Sequence, residues 1–126
     1  KKADNAYKAA SVLASAKKLS QARSYAQKAI SFNENFGAPY ILIAQLYAGN
    51  YKWNDEPALN KCTFFAAIDK LQRAKAVDPS VAEEANKLIS SYSAYTPEAK
   101  DLFMLGYKAG DRITIGGWIG ETTTIR

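Results

Sequence analysis

A chain of 126 residues with seventeen basic and twelve acidic side chains, a net charge of +5, no histidine and a single cysteine is the size of one domain or of a short array of stacked units. The absent histidine removes the usual general base and the commonest metal ligand, and one cysteine, Cys62, forms neither an internal disulfide nor a Cys-x-x-Cys motif. No apolar run reaches the roughly 18 residues that would span a membrane, and Lys1-Lys2-Ala3-Asp4-Asn5 is followed by no apolar stretch of the kind a signal peptide carries, which a mature or excised chain would equally satisfy.

In chain order, the first pair of helices is expected from near Ala3 to about residue 36, its second member carrying Ala22, Ala26 and Ala29 at helical spacing. A third helix runs from Ala38 to Asn50. The segment GNYKWNDEPALNK then breaks the pattern, with turn formers at Gly49, Asn50, Asn54, Asp55 and Pro57. A fourth helix covers FFAAIDKLQRAKAV and closes at Asp78-Pro79-Ser80. Ser80 with Glu83 reads as a capping box for the fifth helix. Thr96-Pro97-Glu98 opens a sixth, with Pro in the first turn and Gly106 at its end. Beyond Asp111 the period changes to alternation at Ile113 and Ile115, and with the β-branched run 122–125 and glycines 116, 117 and 120 this predicts a terminal β-hairpin.

The helical part repeats. Ala10 and Leu13 precede Ala44 and Tyr47 by 34 residues, while Tyr40, Ile43, Tyr47, Ala22 and Ala29 precede Ala85, Leu88, Tyr92, Ala67 and Ala74 by 45, so one insertion of 11, within 48–61, accounts for the shift. Tyr40, Ile43, Ala44 and Tyr47 followed by Ala67, Leu71, Ala74 and Pro79 resemble the tetratricopeptide repeat, a helix-turn-helix unit of about 34 residues. The resemblance covers residues 3–95 and is best in the middle copy. It implies a mainly α fold, a stack of antiparallel helix hairpins of about six helices at 3–110, divided as repeats 3–36, 37–81 and a degenerate 82–110, with 111–126 as a β-hairpin cap. Alanines at the crossings let paired helices approach, and the Tyr and Leu positions fill the space between hairpins. The expected core is Leu13, Tyr25, Ala44, Tyr47, Ala67, Leu71, Ala74, Leu88 and Tyr92. Departures from the family pattern are Ile89 at a small-residue position and Asp101 at an alanine position.

Family members commonly hold partners in the concave groove made by the first helix of each repeat. That places groove candidates at Tyr7, Ser11, Ala14 and Ser15, at Ile41, Gln45 and Ala48, and at Asn86, Ser90 and Ser93. Tyr7, Ser11 and Leu42 stand where relatives that clamp a terminal carboxylate carry Lys or Asn, which argues against that mode. Tyr51 and Trp53 in the insertion are secondary candidates, either as binding anchors or as aromatics folded back over the hairpin, and Trp118 carries the same two readings. The first 33 residues hold seven basic side chains against one acidic, the remainder ten against eleven. This basic end suits an acidic surface, but without interleaved aromatics it makes a poor nucleic-acid platform.

The expected function is therefore a non-catalytic interaction module for a peptide or protein, without cofactor or metal. The alternative is a structural capping or oligomerisation unit at the C-terminus of a longer repeat protein, so self-association stays open. The tail from GYKAGD into ITIGGWIGETTTIR resembles exported repeat proteins of Gram-negative cell envelopes, implying a bacterial periplasmic or envelope location, with the cytoplasm still open.

Overall fold

A computed structural model describes all 126 residues. Its elements are α1 (Lys2–Ser15), α2 (Leu19–Phe32), α3 (Ala38–Gly49), α4 (Pro57–Lys61), α5 (Thr63–Val77), α6 (Ala82–Ser93), α7 (Ala99–Met104), β1 (Arg112–Thr114) and β2 (Thr122–Thr124). The expected mainly α architecture with a short C-terminal hairpin is present. The six anticipated helices are α1, α2, α3, α5, α6 and α7, and α4 is an additional short helix inside the insertion.

The chain reverses between α1 and α2 through a Schellman turn in which Lys17, at φ 63°, takes the left-handed position and the Lys18 N–H reaches back to Leu13 C=O at 2.9 Å. Their contact is lined by Ala10, Ala22, Ala26 and Ala29, all fully buried, because methyl-sized side chains let two helix backbones come close. In the second hairpin, α3 against α5, Ala44, Ala67, Leu71 and Ala74 are likewise fully buried. The alanines related by the 34- and 45-residue offsets, Ala10 with Ala44, Ala22 with Ala67 and Ala29 with Ala74, thus share one environment. α3 carries a single strongly polar side chain, the exposed Gln45, and is otherwise apolar and packed by α1, α2 and α5, as a helix with almost no polar face must be.

The third copy departs from the hairpin pattern. α7 does not fold back along α6 but lies on α4, with Leu102 buried in the common core. α6 begins after a 3-10 turn, Pro79–Val81, whose N-cap is Asp78, the side chain accepting from the Ser80 N–H at 3.1 Å, so the Ser80–Glu83 capping box is not formed. Thr96 closes the α6 end instead of opening α7, its hydroxyl donating to Ser93 C=O at 2.9 Å. Gly106, at φ 93°, ends α7 as expected, with the Tyr107 N–H on Leu102 C=O at 2.9 Å.

β1 and β2 pair antiparallel with Ile113 opposite Thr123. This hairpin meets α7 at its end, where Ile125 and Arg126 stand beside Leu102 and Phe103, and it also lies across α2, α3 and α5; Ile113, Ile115, Ile119 and Ile125 join the same core as Ala10, Ala44 and Leu71. Of the expected core, Tyr25 is 38% exposed, because Ala22, Ala26 and Ala29 occupy the buried stripe and leave it on the flank under the Lys28 ammonium. Leu13, Leu88 and Tyr92 are half-buried and the other five are buried.

Candidate functional site

Four aromatic rings meet where the ends of α3 and α6 face the start of α5. Thr63, fully buried, donates its hydroxyl to Tyr51 C=O at 2.9 Å and so fixes the first residues of the insertion against the first turn of α5. This sets the Tyr51 ring on Phe64, centroids 5.1 Å apart. Phe64 also carries Tyr92 at 5.8 Å and stacks on Tyr95 at 5.4 Å with 27° between planes. Together with Gln45, Ala48 and Gly49 these rings line a cleft of about 430 Å³ that contains no charged residue.

Burial raises the Tyr92 phenol above its ordinary pKa. The hydroxyls of Tyr51 and Tyr92 take no partner within the chain and neither is fully buried, while Tyr95 is 57% exposed. Such a cleft offers aromatic rings, tyrosine hydroxyls and one amide.

A second constellation fastens the tail. Arg23 of α2 donates to Tyr47 Oη at 3.0 Å, to Trp118 C=O at 2.8 Å and to Ile119 C=O, and its guanidinium lies over the Trp118 ring at 5.1 Å. The Tyr47 hydroxyl donates to Glu121, which pairs with Lys70 at 3.0 Å. Burial, then the hydrogen bond to Glu121, pushes the Tyr47 phenol well above its ordinary pKa, so it stays a donor at any physiological pH. Nearby, Asp69 accepts from Thr123 at 2.7 Å and from Arg126. Every polar group here is matched inside the chain, and the cluster is structural.

The sequence candidates scatter around these two places. Gln45, Ala48 and Tyr51 come together in the cleft. Ile41, only 4% exposed, belongs to the core and not to the cleft. Tyr7 packs its edge on Phe36 at 5.4 Å, Ser11 and Ala14 are half-buried, and Ser15, Ser90 and Ser93 are exposed on α1 and α6, outside the cleft. Asn86 accepts from Lys75 of α5 at 2.7 Å. Trp53 turns away toward the tail, its indole N–H on Leu59 C=O at 3.2 Å and its ring against Gly116, and Trp118 packs on Tyr47 at 5.6 Å.

Phe64 and Tyr95 are cleft residues the sequence reading did not single out. The available signal was Tyr92, the equivalent of Tyr47 45 residues on. The tail covers Tyr47 completely, whereas nothing folds over α6 to cover Tyr92 and Tyr95.

Comparison with protein-family models, curated proteins and solved structures returns no match to this chain. No helix is long and apolar enough to cross a membrane, and no group of three or more Cys, Asp or Glu side chains is placed to hold a metal ion.

Proposed function

We propose that this chain is a tetratricopeptide-type repeat module that binds a peptide or protein partner without catalysis, and that the partner enters at the aromatic cleft of Tyr51, Tyr92 and Tyr95, which pack over the buried Phe64. The observation that carries this reading is the cleft itself: an uncharged, ring-lined recess with free hydroxyls, opening beside Gln45 and Ala48, two positions that the family resemblance assigns to the groove. The shared burial of offset-related alanines supports the repeat assignment. Large aromatic rings at the centre of a recess are the side chains that contribute most to partner affinity.

The test is a peptide-display selection on the folded chain, repeated on Tyr95→Ala. Tyr95 is 57% exposed, so its truncation leaves the core intact, which circular dichroism checks. Enriched peptides that lose binding to Tyr95→Ala support the cleft. Peptides that bind both proteins equally move the site elsewhere, and no enrichment at all removes the module reading.

A second reading, oligomerisation, is favoured by one observation. Phe103 and Met104 are 74% and 85% exposed beside an apolar recess of about 440 Å³ that includes Leu102, Tyr107 and Ile125. Sedimentation of the wild type against Phe103→Glu, Met104→Glu decides it: a concentration-dependent dimer lost in the variant supports this face, and a monomer throughout removes it.

A further inference from the structure

The first hairpin presents a second surface, separate from the cleft. Its six lysines, Lys1, Lys2, Lys8, Lys17, Lys18 and Lys28, are all exposed, and every ion pair in the chain lies at Asp69 or beyond, so none of the six is neutralised. Arg23, the remaining cation of the hairpin, turns inward to Trp118 and Ile119. Two aromatic rings stand among the lysines. On α2, Tyr25, Lys28 and Phe32 follow one another at three and four residues and share one face, with Tyr25 38% and Phe32 52% exposed. The Lys28 ammonium lies 4.9 Å from the Tyr25 ring centroid, and the Lys2 ammonium reaches over from α1 to stand 5.9 Å from that of Phe32. The stripe of Lys2, Tyr25, Lys28 and Phe32 holds no carboxylate. Asp4, two residues from Lys2, leaves α1 on another face, and Glu34 lies past the end of α2.

We propose that this face of the α1–α2 hairpin docks on an anionic lipid bilayer, with the lysines among the headgroups and Phe32 and Tyr25 at the apolar boundary beneath them. A bilayer surface supplies both things the stripe lacks, negative charge for unpaired ammoniums and an apolar layer for exposed rings. Each lysine brought to such a surface strengthens attachment about fivefold, and charge combined with apolar insertion holds where either signal alone is marginal. Aromatic side chains with a polar tip, such as Tyr25, sit at headgroup depth. Nucleic acid would match the charge, but its bases need open ring faces, and the ammoniums of Lys2 and Lys28 already stand over those rings. An acidic protein would need carboxylates set opposite fixed cations, whereas unpaired ammoniums on flexible stems suit a continuous sheet of charge.

The experiment measures co-sedimentation of the intact chain with vesicles of phosphatidylcholine and with vesicles in which about a third of the lipid is phosphatidylserine. The expected result is binding at least about tenfold stronger to the anionic vesicles, falling as salt is raised. Lys2→Glu with Lys28→Glu should weaken it at least about tenfold, and Phe32→Ser a few fold. All three positions are exposed, and circular dichroism checks that the helices persist. Lys52→Glu with Lys61→Glu removes the same net charge at exposed sites outside the hairpin and should bind like wild type, because charges farther off than the screening length of about 10 Å contribute little. An equal loss in both double variants, wild-type binding by Phe32→Ser, or no preference for anionic vesicles overturns the inference. So does stronger binding, at equal charge, to a single-stranded oligonucleotide or to polyglutamate, which would give the face to nucleic acid or to an acidic protein. None of the substituted residues lines the aromatic cleft, so this inference and the module reading fail separately.

Discussion

Asp78 shows how a single carboxylate ties two helical hairpins together. Its Oδ1 accepts from the Ser80 hydroxyl at 2.6 Å and its Oδ2 from the Gly37 N–H at 2.9 Å, so the loops that close α2 and α5 are joined across 41 positions of sequence. Gly37 is required there for space: a Cβ would stand 2.6 Å from Val81 Cγ2 and 2.8 Å from Asp78 Cβ. The Ser80 hydroxyl, then the Gly37 amide, hold the Asp78 carboxyl below its ordinary pKa. A depressed carboxylate stabilises the fold above its unfolded pKa of about 4, and that contribution is lost as pH falls through this value toward the folded one. Asp78→Asn should therefore lower stability at pH 7 and flatten the acid limb of a denaturant-midpoint profile, and a variant whose acid limb matches wild type would remove Asp78 from the link. Cys62 is fully buried with its thiol directed at Ala58 C=O, 3.6 Å away, and burial pushes its pKa up to about 11. Because the thiolate is the reactive species, an aromatic disulfide reagent at pH 8 should label Cys62 only as fast as the core opens. Labelling at the rate of a free thiol would mean that α4 detaches readily from α5.

The insertion and the tail, remote in sequence, act at the element scale as one clasp. Asn60 Oδ1 accepts from the N–H groups of Trp53 and Asn54 at 2.8 and 2.7 Å, and Asn60 Nδ2 donates back to Asn54 C=O at 2.7 Å. This ordered turn aims the Trp53 ring at the hairpin loop, where a Cβ on Gly116 would lie 2.8 Å from Trp53 Cε3. Gly116→Ala should accordingly displace the indole and cost about 1–3 kcal/mol, read as a lower denaturant midpoint with a shift in Trp fluorescence. Unchanged values would show that Trp53 is not held against the hairpin. The position of the insertion was legible in the change of offset from 34 to 45 residues, because burial of equivalent alanines enforces the same spacing in each copy. Its direction was not legible, since the partner of Trp53 is a glycine more than sixty residues away, and a glycine carries no pattern that marks a contact.

At the scale of the whole molecule, the tail is part of the core and not a cover added to it. Ile113, Ile115, Ile119 and Ile125 are all under 8% exposed, and at about 1.5–3 kcal/mol for each buried side chain their loss would remove roughly 6–12 kcal/mol, comparable with the entire stability of a domain this size. A chain truncated before Asp111 should therefore lack a cooperative thermal transition and bind hydrophobic dye, not melt a few degrees lower. A cooperative melt of the truncated chain would show that α1–α7 form a complete core by themselves. The sequence alone determined six of the seven helices, the repeat offsets, the site of the insertion and the terminal hairpin, because helical period, alternation and turn-forming residues are local signals that hold wherever the element ends up. Tertiary structure alone decided that Ile41 is enclosed, that α7 leaves α6 for α4, and that the tail takes the α2, α3 and α5 surface through Arg23 and Glu121. Those choices depend on which of several apolar faces finds the best-fitting cover. Because the tail covers Tyr47 and nothing covers Tyr92 and Tyr95, that competition is also what left the aromatic cleft open.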